Sequence, residues 1–293
     1  MEGSSVGQSF TGTGPGSLGK SQERKRRVLV TGAGGRIGSY FAEHSRERYD
    51  LRLMIQHPDQ AEAVREFGEV VQADLGDLEG MKRICSGIDT VVHMAGNPDA
   101  SATWKPLLET NIIGTYNAMV AAKSAGCRRL IFASSIHAVS GYPREVQVKT
   151  SEPVNPGDLY GVTKAFGESL GRYMAEQEGL SVIALRIGGF QTVENARQES
   201  SAGMADAWVT NRDLTQLIQK CIDNESLKFA IFHGLSNNAF LRLDISDARE
   251  LVGYEPQDDV FALNPRLAPL DMANKTYKHS VDSPARSGLR DDL

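Results

Sequence analysis

The sequence has 293 residues, with 32 Lys and Arg against 37 Asp and Glu, so its formal net charge is −5. Hydrophobic residues make up 40% and charged residues 24%, which excludes fibrous and mostly disordered classes. The acidic balance argues against nucleic-acid binding, and no apolar run reaches the roughly 18 residues of a membrane span. The three separated cysteines, Cys85, Cys127 and Cys221, form no disulfide or metal-binding pattern. We therefore predict a cytoplasmic protein without a metal site.

The two ends of the chain differ from its middle. Residues 1–25 are rich in Gly, Ser and Thr and have few large apolar side chains, so we predict a disordered leader. Residues 264–293 are polar, contain Pro and show little periodicity, so we predict a loose arm or tail. The folded domain is predicted over residues 26–263.

Short apolar runs alternate with amphipathic segments through this domain. The predicted strands cover residues 27–31, 51–55, 69–74, 89–96, 128–135, 181–188 and 228–233. The predicted helices cover residues 36–48, 61–67, 77–85, 103–125, 160–179, 211–224 and 246–252. Because the strands are apolar on both faces, this alternation predicts an α/β fold with a doubly wound parallel sheet. After Gly188 the alternation weakens, and residues 189–255 are predicted to form a small C-terminal cap over the sheet edge.

A glycine-rich segment, VLVTGAGGRIG, places Gly32, Gly35 and Gly38 between the first strand and the first helix. Glycine permits unusual backbone angles, close approach to a pyrophosphate and tight packing of helix on strand. The free N–H groups at a helix start also attract phosphate. The segment therefore predicts a dinucleotide-binding loop. Arg36 is a candidate phosphate partner, with an exposed helix position as the alternative.

A second group of residues points to proton and hydride transfer. Tyr160 and Lys164 are four residues apart in a predicted helix and therefore share one face. A neighbouring ammonium favours phenolate, which accepts a hydroxyl proton as hydride leaves the same carbon. Ser134 and Ser135 end the fifth predicted strand, at the edge where such sheets bind ligands. His137 is a candidate substrate contact, with a loop histidine of no ligand role as the alternative.

These motifs, together with QADLGD, HMAGN and NIIGTYNAMVAA, resemble the extended short-chain dehydrogenase/reductase superfamily of NAD-dependent epimerases, dehydratases and dehydrogenases. The likeness covers roughly residues 26–255 and implies a Rossmann-type fold. It implies that Ser135, Tyr160 and Lys164 are catalytic and that Asp74 reaches the adenine. The implied cofactor-binding residues are Gly32, Gly35, Arg36, Ile37, Gly38, Asp74, Leu75, Met94, Ala95, Gly96, Asn111, Ser134, Tyr160, Lys164 and Ile187.

The segments FASSIHAVSGYP, LYGVTKAFGESLGRYMAEQ and RIGG look especially like uronate dehydrogenases and archaeal NAD-dependent glucose-6-phosphate dehydrogenases. Both oxidise the anomeric carbon of a pyranose to a lactone. The short stretch between LRIGG and the polar tail favours a small free sugar over a nucleotide sugar. The resemblance implies substrate contacts at Asn97, Ser135, His137 and Tyr160. It also implies NAD as the cofactor and a homodimer formed through residues 103–125 and 157–178.

Three positions depart from the pattern of these dehydrogenases. The second strand is followed by QH rather than by a carboxylate, so NADP is an alternative to NAD. Ile136 replaces the asparagine of the family's SSNH segment. Gly203 stands where uronate dehydrogenases carry an arginine for the substrate carboxylate, and Arg197 and Arg212 are candidate substitutes.

Two other functions are compatible with the same motifs. An epimerase or dehydratase would reduce and reoxidise the cofactor within one turnover. A sensor would bind the dinucleotide without catalysis, although the intact Ser135, Tyr160 and Lys164 set argues against it. The favoured prediction is an NAD(P)-dependent enzyme that oxidises a small sugar or sugar acid.

Overall fold

The computed structural model describes residues 25–270. The predicted leader up to residue 24 and the predicted tail from residue 271 lie outside this range. Within it, no helix combines the length and apolar character needed to cross a bilayer.

A seven-stranded parallel sheet forms the centre of the described chain. The strands of the described residues, including two outside this sheet, are β1 (Arg27–Thr31), β2 (Asp50–Ile55), β3 (Glu69–Gln72), β4 (Thr90–His93), β5 (Arg129–Ser135), β6 (Ser181–Ile187), β7 (Gly189–Gln191), β8 (Trp208–Thr210) and β9 (Phe229–Gly234). The main sheet has the order β3-β2-β1-β4-β5-β6-β9, while β7 and β8 pair separately. The order reverses direction between β1 and β4, and such a switch point is where open α/β sheets bind ligands.

Helices cover both faces of this sheet. They are α1 (Arg36–Ser45), α2 (Leu78–Cys85), α3 (Trp104–Leu107), α4 (Gly114–Ser124), α5 (Leu159–Glu176), α6 (Val193–Ala196), α7 (Asn211–Asp223), α8 (Ser246–Val252) and α9 (Val260–Leu263). Along β1, Val28 and Val30 pack in the apolar cluster that includes side chains of α1 and α7. Leu29 packs in the opposite cluster, with side chains of α2, α4 and α5. The predicted Rossmann-type, doubly wound sheet is therefore confirmed.

Two predicted helices differ in the structure. Residues 61–67 are not helical, since the chain forms one 3-10 turn at Pro58–Ala61 and then open turns. Val64 is the one fully buried residue of that segment, so no continuous apolar face stabilises a helix. The predicted helix over 103–125 is divided, because wide π-type turns at Leu108–Ile113 separate α3 from α4. Asn111 is buried in these turns, and its side chain is bonded to the loop after β4 and to α5.

The cap begins at β7 and continues through α6, a kinked 3-10 segment (Glu199–Ala207) and β8. An apolar cluster holds it together, made of Ala196, Ala205, Trp208, Val260 and Leu267. The prediction of a loose arm from residue 264 is wrong for residues 264–270. Leu267 is buried, and the side-chain amide of Asn264 donates to the Ala196 carbonyl at 3.0 Å. Val260, Leu267 and Leu270 pack in the apolar cluster of the cap, although the segment as a whole is polar in composition.

Candidate active site

A cleft of about 570 Å³ opens at the carboxyl ends of β1, β4, β5 and β6. Most predicted site residues line it, namely Gly32, Gly35, Arg36, Ile37, Gly38, Met94, Gly96, Asn97, Ser134, Ser135, His137, Tyr160, Lys164 and Ile187. Four predicted residues, Asp74, Leu75, Ala95 and Asn111, are not among its lining residues. Lining residues that the sequence interpretation missed are Pro98, Ala133, Ile136, Gly188, Gly189, Phe190, Gln191 and Met204.

The glycine loop is shaped by close contacts that exclude side chains. Gly32 has φ +67°, and a Cβ there would lie 2.8 Å from the Ala95 backbone nitrogen. A Cβ on Gly38 would lie 2.3 Å from the Gly32 carbonyl oxygen. Gly35 precedes α1, whose first turn receives no side-chain capping bond. Gly35 and the first three residues of α1 line the cleft, and the first N–H groups of a helix are free to bind phosphate, so the loop fits a dinucleotide.

Arg36 connects this loop to the cap. Its guanidinium donates to the Phe190 carbonyl at 2.9 Å and lies 5.8 Å from the centre of the Phe190 ring. The predicted phosphate partner is therefore engaged with β7.

Ser135 and Tyr160 meet at the middle of the cleft. Both side chains line the cleft, and Ser135 Oγ accepts the backbone N–H of His137 at 3.2 Å. Burial raises the pKa of Tyr160 to about 12, and the neighbouring Ser135 hydroxyl partly opposes that shift. This differs from the expectation that Lys164 holds the phenol pKa low. Desolvation of the phenol is the largest cause of the shift.

Lys164 lies one helical turn beyond Tyr160 and is almost completely buried. Its Nζ is 5.4 Å from the centre of the Tyr160 ring and 5.3 Å from that of Phe132. Burial lowers the pKa of Lys164 to about 8, because the charged ammonium loses hydration. A Cβ on Gly96 would lie 3.6 Å from this Nζ, so glycine leaves the ammonium open towards the cleft.

Asn111 fixes the loop that follows β4. Its Oδ1 accepts the Asn97 N–H at 2.7 Å, and its Nδ2 donates to the Asn97 carbonyl at 3.0 Å and to Thr163 Oγ1 at 3.1 Å. Thr163 precedes Lys164 on α5. Asn111, which the resemblance implies as a cofactor-binding residue, therefore ties the β4 loop to α5.

Asp74 and Leu75 follow β3, away from the residues that line the cleft. Asp74 Oδ1 accepts the Gly76 N–H at 2.8 Å. The Leu75 side chain packs on Gly114, and Asn117 Nδ2 donates to the Leu75 carbonyl at 2.7 Å. These bonds position the segment that the family resemblance assigns to adenine.

His137 is held in place by a carboxylate that the sequence interpretation did not single out. Its Nδ1 lies 2.6 Å from Asp158 Oδ2, and its ring packs edge-on against Tyr160 with centres 5.3 Å apart. The other oxygen of Asp158 accepts the Gly161 N–H at 2.7 Å and so caps α5. The Asp two residues before Tyr160 was a recognisable helix-start signal, but its second bond was not readable from spacing.

A buried ion pair lies beside Ser134, between α5 and β6. Arg186 on β6 forms two bonds of 2.9 Å with the Glu168 carboxylate on α5. Ser134 Oγ donates to Glu168 Oε1 at 2.6 Å. All three side chains are nearly inaccessible, so this group fixes α5 against β5 and β6. A charged residue within the apolar run SVIALRIG was the one sequence signal for it.

A doubly wound α/β domain with a glycine loop, a strand-end serine and a Tyr/Lys helix defines a class of nucleotide-dependent oxidoreductases and isomerases. The family model described as the NAD dependent epimerase/dehydratase family matches residues 28–225. The chain belongs to that family.

Curated relatives match most of the chain. A glucose-6-phosphate dehydrogenase from Haloferax volcanii, described as NAD-dependent, is 35% identical over 84% of this chain and 98% of its own. An L-arabinose 1-dehydrogenase (NAD(P)(+)) from the same organism is 33% identical over 80% of this chain and 97% of its own.

Solved structures agree with these matches. A glucuronic acid dehydrogenase from Chromohalobacter salexigens has a TM-score of 0.79 and 27% identity, over 92% of this chain and 99% of its own. A uronate dehydrogenase from Agrobacterium tumefaciens has a TM-score of 0.74 and 28% identity, over 90% and 99%. A mutant of the latter was solved with NAD.

Proposed function

We propose that this protein is an NAD-dependent oxidoreductase that oxidises the anomeric carbon of a small sugar or sugar acid to a lactone. The observation that carries the proposal is the meeting of Ser135, Tyr160 and Lys164 in the cleft that also contains the glycine loop. The dehydrogenases among its relatives, which are named for glucose 6-phosphate, L-arabinose and uronates, support this activity.

Each residue has a distinct role in this proposal. The Ser135 hydroxyl orients the anomeric hydroxyl of the sugar, and Tyr160 accepts its proton. Lys164 stabilises the phenolate and holds the ribose hydroxyls of the dinucleotide. Bound NAD supplies the hydride acceptor. His137 and Asn97 contact the sugar from the loops that follow β5 and β4.

The choice of NAD over NADP rests on the family and on the NAD-bound relative. The residues that follow β2 do not distinguish the two cofactors. The side chains of Gln56 and His57 offer neither a carboxylate to the adenosine ribose nor a guanidinium to a 2′-phosphate. Their backbone N–H groups donate to Gln60 Oε1, at 3.0 and 3.2 Å. We therefore propose NAD as the cofactor, and activity with NADP is the comparison that tests this choice.

The direct test is incubation with NAD or NADP and a panel of aldoses, uronates and sugar phosphates. We expect net accumulation of reduced nicotinamide together with a lactone. Formation of an epimerised or dehydrated sugar without net reduction would instead favour an epimerase or dehydratase. Tight dinucleotide binding without conversion of any sugar would favour a sensor.

We also propose a cytoplasmic homodimer formed through α4 and α5. Four large apolar side chains are exposed there: Ile113, Tyr116, Val162 and Tyr173. The helices contact each other, so these side chains contribute to one surface. Burial of such a surface drives association of two copies. Light scattering should give twice the chain mass, and a monomer at working concentration would contradict the dimer.

A further inference from the structure

The sugar end of the cleft, as we define it, consists of Asn97, Pro98, His137, Gln191 and Met204. These residues lie on the loops after β4 and β5 or belong to the cap. Among all the described residues that line the cleft, the basic ones are Arg36, His137 and Lys164. An anionic group on the substrate would need one of these three for charge compensation.

Arg36 and Lys164 lie with the cofactor residues. Arg36 is the first residue of α1, next to the glycine loop, and donates to the Phe190 carbonyl. Lys164 is buried against the rings of Tyr160 and Phe132, where its ammonium faces Gly96. Both positive charges therefore serve the dinucleotide half of the cleft rather than the sugar end.

His137 adds no net positive charge at the sugar end. Its ring is bonded to Asp158 at 2.6 Å, and the Asp158 side chain is only 5% exposed. A proton on the imidazole would be balanced by this carboxylate. With a neutral imidazole, the buried carboxylate would repel a substrate anion.

The candidate arginines for a substrate carboxylate are placed elsewhere. Arg212 pairs with Asp258 at 2.5 Å, and neither Arg212 nor Arg197 is among the residues that line the cleft. Gly203 has no side chain, and its neighbour Met204 points an apolar thioether into the cleft, 3.7 Å from Gln191 Nε2.

We infer that the sugar end selects an uncharged aldose over a uronate or a sugar phosphate, an inference that rests on the proposed function. A carboxylate or phosphate buried without a partner loses hydration and gains nothing in return. Sugar hydroxyls are matched by the side-chain amides of Asn97 and Gln191 and by His137. The relatives include enzymes named for both kinds of substrate, so family membership alone does not decide between them.

Matched pairs of sugars test the inference on the unmodified protein. With NAD, kcat/KM for D-galactose should exceed that for D-galacturonate by at least about tenfold, and likewise D-glucose against glucose 6-phosphate. A smaller ratio or the reverse order in either pair overturns it. If no sugar of any kind reduces NAD, the proposed function itself fails and takes the inference with it, so the two failures are distinguishable.

A variant locates the effect. Met204→Arg introduces a guanidinium at the sugar end, and Met204→Gln is the control of similar length without charge. Arg should raise the galacturonate-to-galactose ratio of kcat/KM by at least about tenfold over Gln. Equal ratios in two variants that both bind NAD would show that the sugar lies elsewhere and would overturn the assignment.

Discussion

The sheet domain and the border between α7 and the cap each contain an arginine–carboxylate pair, but the two pairs are built differently. Arg186 and Glu168 are 1% and 3% exposed and bond in two places between β6 and α5. Arg212 and Asp258 also bond in two places, yet the Arg212 side chain is 58% exposed. The buried pair fixes α5, which carries Tyr160 and Lys164, against β6. In the second pair only the arginine is exposed, since the Asp258 side chain is 9% exposed, and the pair joins the start of α7 to the segment after α8.

The contrast indicates which side chains of the cleft are positioned most accurately. The buried bonds of Glu168 hold α5, which carries Tyr160 and Lys164, against β5 and β6. The proposed proton transfer requires this accuracy because it takes place at hydrogen-bond distances. Gln191 and Met204 come from short cap segments held mainly by apolar packing around Trp208. Such segments can change side chains, and therefore substrate, without disturbing the chemistry.

The largest expected effect is on chemistry within the sheet domain. Tyr160→Phe removes the proton acceptor and should lower kcat by about 10²–10⁴-fold, while NAD binding is retained. Initial rates of nicotinamide reduction measure this. Tyr142→Phe is the matched control, since that hydroxyl lies outside the cleft lining and donates to the Pro153 carbonyl at 2.9 Å. Unchanged turnover in Tyr160→Phe would mean that catalysis does not depend on this residue.

The next effect concerns the buried ion pair. Glu168→Gln leaves the Arg186 guanidinium buried without a counter-charge and should lower the free energy of unfolding by about 3 kcal/mol. Urea unfolding followed by circular dichroism measures the loss. A loss of unfolding free energy below about 1 kcal/mol would show that the pair contributes little to the stability of the sheet domain.

Two buried histidines make the sheet domain sensitive to acid. Burial lowers the pKa of His93 and of His233 to about 3 each, with smaller contributions from Lys164 and Arg186. Unfolding returns both to about 6.5, so the unfolded chain binds more protons between these values and stability falls as pH falls.

When the pH falls from about 7 to about 5, each of these histidines should lower the free energy of unfolding by about 2 kcal/mol. Urea unfolding at the two pH values measures the difference. His233→Leu should remove about half of the pH dependence. A slope identical to that of the unmodified protein would assign the acid sensitivity to other groups.

The smallest effect is expected in the cap. Arg212→Gln breaks a pair whose arginine is largely hydrated, so the free energy of unfolding should fall by less than about 1 kcal/mol. The measurement is the same urea titration, with Glu168→Gln in parallel. A loss as large as that of Glu168→Gln would remove the contrast between the two regions.

Much of the fold could be predicted because parallel strands buried on both faces are apolar throughout. All seven strands of the main sheet were predicted within a few residues, and the glycine loop and Tyr160–Lys164 spacing are local patterns. Elements held by distant contacts were not predictable. The three-residue strands β7 and β8 depend on each other, and the packed chain at Leu267 depends on Trp208.

The predictions for the site had the same limit. Gly32, Ser135 and Lys164 belong to motifs of fixed spacing, so their grouping in the cleft could be expected. Asp158 and Glu168 act on partners 21 and 18 residues away, His137 and Arg186. Sequence spacing does not choose such partners, because the choice depends on which helix packs against which strand.

Arg36 gives the cleft a property that neither region has alone. It begins the helix beside the glycine loop, yet it donates to the backbone of β7, the strand that ends at Gln191. Arg36 itself lies outside the sugar end, so a link between the two ligands would run through its bond to β7, and a coupling free energy is the same in both directions. A dinucleotide that drew Arg36 away from β7 would change sugar affinity by the factor by which sugar changes dinucleotide affinity. The two ligands are therefore expected to bind as a thermodynamically linked pair, with sugar affinity defined only at a stated cofactor concentration.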